Sequence, residues 1–151
     1  MLRLNEPAPP LRLRNQQGIL TGLAELRGHI AVLWWQRSLA QPSAEIIARA
    51  LRDQYPDLTA RNAAVLGISN ASPQEILRFH DRLGLPFDLL NGAKDAASTA
   101  YGVSNWWRAS PDVPLTFVID PAGLLQASHQ VVRRHAAHVE TLLTDIVRAA
   151  A

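Results

Sequence analysis

Residues 31 to 45 read AVLWWQRSLAQPSAE, a stretch that changes character twice. With Ile30 in front, the run to Trp35 is unbroken apolar sequence of strand length. That is the pattern of a strand buried on both faces, in a sheet covered by helices on both sides. Trp34 and Trp35 must then point to opposite faces, so each fills a different side of the core. Pro42 suits the first turn of a following helix, where its missing N–H costs nothing. Ala44, Ile46, Ile47, Ala50 and Leu51 give that helix an apolar face. No cysteine stands in this stretch or anywhere in the 151 residues. Disulfides, cysteine-based zinc sites and iron–sulfur ligation are thereby excluded, while the redox compartment stays open.

Upstream, Pro7, Pro9 and Pro10 make an extended lead-in. Leu11 and Leu13 alternate with polar residues like a short strand. Residues 15–18 supply a turn before residues 19–21, which completes a candidate edge hairpin. Residues 23–27 read as one helical turn ended by Gly28. Downstream, Pro56 is expected to stop the helix begun at Pro42, and residues 63–69 form a second buried strand. Asn70 or Ser72 is the candidate N-cap of the next helix, with Ser72-Pro73-Gln74-Glu75 a capping-box sequence, and that helix runs to about Leu83, ended by Gly84. Residues 86–90 suit a short strand, and residues 95–101 a short helix ending near Gly102. Residues 115–120 and 124–130 flank Pro121-Ala122-Gly123 as a hairpin. A terminal helix over residues 135–149 presents Val139, Leu142, Leu143, Ile146 and Val147 to a sheet. The result is an α/β domain over residues 1–151: a central mixed sheet of four or five strands, an N-terminal hairpin and flanking helices.

A chain of this length buries about 70% of its unfolded surface and needs no metal or disulfide for stability. Fifteen Lys plus Arg against thirteen Asp plus Glu leave a net charge of +2, and Lys94 is the only lysine. Arginine suits bidentate contacts to carboxylates or phosphates. No run of more than two basic residues occurs, and no aromatic-basic platform repeats, so a nucleic-acid partner is not expected. The N-terminus lacks the apolar region of a secretory signal, and residues 29–35 are too short to span a bilayer. Cytoplasmic residence without membrane insertion is the default expectation.

Four stretches carry a resemblance that covers most of the chain. Glu6-Pro7-Ala8-Pro9 followed by Leu11 and Leu13 resembles the entry strand of the redoxin branch of the thioredoxin superfamily. That branch includes peroxiredoxins of the alkyl hydroperoxide reductase and thiol-specific antioxidant type, and related membrane-tethered thiol-disulfide proteins. GILTGLAELRG, residues 18 to 28, is similar to the family's turn and short helix. Tyr101-Gly102-Val103 stands where the family has its helix-terminating Tyr-Gly-Val, and VPLTFVIDPAG, residues 113 to 123, is similar to its Val-Pro-Thr-Thr-Phe strand and turn. The resemblance implies a thioredoxin-like three-layer sandwich. It also implies a cis bond between Val113 and Pro114, with Pro114 facing the reactive centre.

The departure lies at the chemistry. Laying Val32 to Trp35 on the family's apolar strand puts Ala40-Gln41-Pro42-Ser43 where a Cys-x-Pro-Cys pair would sit. On a peroxiredoxin loop the reactive position falls at Ala40, Ser43 or Ala44, and each lacks sulfur. Peroxiredoxins also resemble one another in an arginine just before the Thr-Phe strand, where this chain has Val113-Pro114-Leu115. A thiolate is the nucleophile that redox chemistry on this scaffold requires. Serine has no matching reversible ladder of sulfenate and disulfide, so Ser43 is no substitute. A hydrolytic role for Ser43 would need a base that the spacing of His29, His80 and His129 does not supply.

Other residues weigh less. His135 and His138 are three apart but lack a third ligand, so no metal or other cofactor is expected. Asp120 reads as a turn residue binding its own hairpin. Arg37 follows the central strand, with Asp112 or a ligand carboxylate as its candidate partner. Trp106, Trp107 and Arg108 lie in a segment without clear periodicity just before Pro114, a combination suited to a protein hot spot or a small acidic or apolar ligand.

The leading expectation is a non-catalytic redoxin-like protein that serves as an accessory or interaction module, with a protein partner or a second copy of itself. One alternative is a thiol-disulfide oxidoreductase or peroxiredoxin relative in which cysteines at Ala40, Ser43 or both have been replaced. Another is a small-ligand-binding protein or non-redox enzyme.

Overall fold

In the computed structural model, which describes residues 2–92 and 96–150, seven strands form one sheet. They are β1 (Arg12–Arg14), β2 (Leu20–Gly22), β3 (Ile30–Gln36), β4 (Ala63–Ser69), β5 (Asp88–Asn91), β6 (Leu115–Ile119) and β7 (Leu125–Gln130). Their order is β2-β1-β5-β4-β3-β6-β7. β3, β4 and β5 run parallel, and β6 returns antiparallel beside β3 in the register Trp35↔Leu115, Ala31↔Ile119. The strand count exceeds the expected four or five because the N-terminal hairpin does not stand apart. Arg14 pairs with Asn91, which joins β1 and β2 to the central five.

Helices α1 (Pro42–Asp53), α2 (Tyr55–Ala60), α3 (Pro73–Leu83) and α6 (His138–Ala150) cover one face of the sheet. The opposite face is covered by α4 (Ala96–Ala100), α5 (Val103–Ala109) and a 3₁₀ turn at Leu23–Leu26. This is the thioredoxin-like three-layer arrangement. All seven residues of β3 are buried, as its unbroken apolar run requires. Trp34 enters the core under α1 and α6, and Trp35 the core under α5. Trp34 fits because its parallel neighbour is Gly67, where an added Cβ would stand 3.1 Å from the indole and 2.5 Å from Leu89. On the other face Trp35 packs at 5.5 Å from the Tyr101 ring and edge-on to Trp107 at 6.4 Å, centroid to centroid.

Local signals decide most boundaries. Ser72 accepts the Glu75 backbone N–H, the Glu75 carboxylate accepts that of Ser72, and Gly84 closes α3 in the left-handed region. Pro56 does more than stop a helix: α1 ends at Asp53, and Pro56 then occupies the first turn of α2. The segment carrying Trp106 to Arg108 is helical, as α5, rather than irregular. The terminal helix starts at His138, three residues later than its apolar spacing suggests, because residues 135–137 form a turn.

The bond between Val113 and Pro114 is trans, against the expectation of cis, as are all others among the described residues. Trans is the intrinsically preferred isomer, and both adjoining carbonyls are occupied in it. Val113 accepts from the Trp107 indole at 3.1 Å, and Pro114 accepts the Val131 N–H at 2.8 Å. Asp95, the expected start of α4, lies outside the described residues, as does Met1, the only sulfur-bearing side chain. No helix among the described residues is long and apolar enough to cross a membrane.

Candidate functional site

The C-terminal end of β3, the following loop and the first turn of α1 form the place where the sequence resemblance puts a thiol. The buried side chain of Gln36, the last residue of β3, organises it. Its Oε1 accepts the Trp34 indole N–H at 3.1 Å, and its Nε2 donates to Gln41 Oε1 at 2.9 Å and to Ser43 Oγ at 3.1 Å. Gln41 Nε2 in turn donates to the Asp112 carboxylate. Arg37 donates from Nε to the Pro111 carbonyl at 3.0 Å, and its guanidinium lies 3.7 Å from Asp112. The Arg37 carbonyl accepts from Ser69 Oγ and from the Asn70 N–H, each at 3.2 Å.

Strand, loop and the segment before β6 are therefore tied by a chain of polar side chains. Pro114 follows Asp112 on that segment and is one residue beyond the Trp35↔Leu115 pair, level with Gln36. Arg37, Gln41, Ser43 and Pro114 are thus brought together at one sheet end. Ala40 is exposed in the loop, and Ala44, in the first turn of α1, is completely buried.

This arrangement has little reactivity of its own. Ser43 accepts a hydrogen bond from an amide, and no carboxylate or imidazole bonds it among the described residues. The histidines considered as bases are engaged elsewhere: His29 with Asn62, His80 with Asp81 and His129 with Asp145. Without a base to take its proton, a serine hydroxyl stays a poor nucleophile. Gln36 was not among the candidate residues, although an amide closing an otherwise apolar strand is a legible signal, because buried amides need partners.

Trp106, Trp107 and Arg108 diverge around α5, as successive residues on a helix must. Trp107 belongs to the core against Trp35. Arg108 is exposed. Trp106 is half-buried, and its Nε1 is shielded from solvent with no hydrogen-bond partner among the described residues. It lines a cavity of about 760 Å³ with Leu2, Tyr101, Asn105, Leu115 and Phe117.

A third cluster joins α6 to the hairpin of β6 and β7. His138 Nε2 lies 2.8 Å from Thr116 Oγ1, His129 Nε2 lies 2.6 Å from Asp145 Oδ2, and the two imidazoles meet edge-on at 5.2 Å. Burial pushes the His138 imidazole down to about 4. His129 and His135 reinforce that shift and Asp145 opposes it. Thr116 is fully buried, so no substrate reaches its hydroxyl. The cluster packs α6 against the hairpin, and His129 also borders the cavity lined by Trp106. No group of three or more His, Cys, Asp or Glu side chains among the described residues is placed to hold a metal ion.

The AhpC/TSA family model matches residues 4–128. The chain is 26% identical over 135 residues to the chloroplastic peroxiredoxin Q of Sedum lineare, covering 89% of this chain and 73% of that one. Among solved structures, peroxidoxin BcpB of Mycobacterium tuberculosis superposes with a TM-score of 0.85 at 18% identity, covering 98% of each chain. The bacterioferritin comigratory protein of Xanthomonas campestris superposes at 0.83 with 21% identity, covering 100% of this chain and 99% of that one. At these identities the superpositions speak for the fold.

Proposed function

The chain belongs to the AhpC/TSA family, and from that premise we propose that it is a non-catalytic member acting as an accessory or protein-interaction module. The observation that carries the reading is the sulfur-free loop between β3 and α1, filled by the network of Gln36, Gln41, Ser43 and Asp112. Peroxide reduction on this scaffold needs a thiolate that cycles through sulfenate and disulfide. Here the same volume is cross-linked by amide and carboxylate groups that accept no oxidation. Val113-Pro114-Leu115 also stands where the family resemblance implies an arginine just before the Thr-Phe strand.

The partner is another protein chain, a second copy included, and α5 offers the surface: Trp106 and Arg108 are of the residue types enriched at interaction hot spots. Two measurements test the reading. Peroxide consumption with a thiol reductant should stay at the buffer rate, and turnover above it overturns the non-catalytic assignment. Sedimentation velocity on the full chain should show self-association that Trp106→Ala and Arg108→Ala each weaken by about tenfold, the scale of a hot-spot truncation. Self-association unchanged by both substitutions counts against the α5 surface.

A further inference from the structure

The end of the sheet opposite the Gln36 loop holds a second cavity, of about 320 Å³. Its walls are apolar: Pro9, Pro10 and Leu11 of the entry segment, Leu23 and Leu26 of the 3₁₀ turn, and Ile119 at the end of β6. β3 separates it from the Gln36 network by about 20 Å, at roughly 3.3 Å per residue. The walls are held by backbone bonds between segments distant in sequence. Ala8 N–H donates to the Gly123 carbonyl at 2.9 Å, Leu23 N–H to Leu11 at 3.0 Å, and Gly28 N–H to Pro121 at 3.2 Å. The cavity is therefore preformed and does not depend on side chains folding over a ligand.

Its rim is charged and unbalanced. Arg12 and Arg27 both line it, both are exposed, and neither guanidinium makes an ion pair or hydrogen bond among the described residues. The one acidic residue of the lining, Asp120, is already engaged. Its Oδ1 accepts from the backbone N–H groups of Ala122 at 3.0 Å and Leu124 at 2.9 Å, and its Oδ2 accepts from Gln126 at 3.0 Å. His29 Nδ1 bonds Asn62 Oδ1, whose amide nitrogen donates to the Gly28 carbonyl at 3.0 Å. That makes Nδ1 the donor toward Asn62 and leaves Nε2 without a protein partner among the described residues. Two arginines without side-chain partners among the residues lining an apolar cavity form a complement to a planar anion on a hydrophobic body.

We propose that this cavity binds a small carboxylate with an apolar tail. The tail lies against Leu11, Leu23, Leu26 and Ile119, and the carboxylate is held by Arg12 and Arg27. At the roughly 30 Å³ that one water occupies in the liquid, the volume corresponds to a ligand of about ten non-hydrogen atoms. The proposal is independent of the α5 surface and of any redox role.

Octanoate and octanamide match that size and differ in charge, so titrating each into the isotope-labelled full chain, with backbone amide shifts as readout, tests the site. Octanoate should perturb Leu11, Ala24, Ala31 and Gly123 and bind about tenfold or more tightly than octanamide, as a charge-assisted pair requires. In Arg12→Gln/Arg27→Gln, whose substitutions are both on exposed side chains and whose fold is checked by circular dichroism, octanoate should weaken to the level of octanamide while octanamide is unchanged. Equal affinity of the two ligands for the natural chain overturns the proposal. So does undiminished octanoate binding in the double variant, or a shift pattern centred on the Trp106 cavity.

Discussion

A primary amide has four hydrogen-bonding positions, and burying one unpaired costs about 1–3 kcal/mol. Gln36 avoids that cost by serving Trp34, Gln41 and Ser43 at once. Gln36→Leu should therefore destabilise the fold by about 1–3 kcal/mol in urea denaturation, because the Trp34 indole N–H is left buried without an acceptor. A loss below about 0.5 kcal/mol would show that the network is not a structural tie. Placing sulfur beside it tests whether the housing still works. Ser43→Cys puts a half-buried thiol in the first turn of α1, where backbone N–H groups favour the thiolate, so it should react with a disulfide reagent, whereas Ala44→Cys, at a completely buried position, should not. Peroxide consumption should nevertheless stay at the buffer rate, since no arginine stands immediately before β6 and Arg37 is committed to Pro111 and Asp112. Restored turnover would favour the reading in which cysteines were simply replaced. The absence of cysteine was legible in the residue string, and so was the neighbourhood of Arg37, Ser43 and Pro114. The network was not, because a glutamine's partners are set by rotamers and, for Gln41, by Asp112, 71 residues away.

Elements were legible where local chemistry is sufficient. Ser72 with Glu75 caps α3 and the apolar run makes β3, both from signals within a few residues. Signals failed where tertiary packing decides: the joining of β1 to β5 rests on one long-range pairing, and α5 forms from a segment whose pattern has too few turns to show periodicity. Pairing across strands also explains a residue that the sequence leaves unremarked. Gly67 is required by Trp34, its register partner, since any Cβ there meets the indole and Leu89. Gly67→Ala should cost about 1–3 kcal/mol by overpacking, even though alanine suits a strand no worse than glycine does. Pairing it with Trp34→Phe should recover part of that loss, a coupling read from a double-mutant cycle by urea midpoint. Additive losses would mean that the strain lies elsewhere.

At the scale of the whole molecule, α6 is the last element to cover the sheet, and it docks beside titratable groups. His138 is held neutral between Thr116, His129, His135 and Asp145, with its imidazole pushed down to about 4. In the unfolded chain the same group titrates near about 6.5. Between those values the unfolded state takes up a proton that the folded state refuses. Stability must therefore fall as pH is lowered from about 6.5 towards 4 and gain no further loss from this group below that. His138→Gln keeps a partner for Thr116 and cannot ionise, while His129, His135 and Asp145 remain. The urea midpoint of the natural chain should then drop more steeply over this interval than that of the variant, with the two curves parallel above pH 7. Identical slopes would show that His138 protonates without loosening α6, and that the acid sensitivity of the fold resides in its carboxylates.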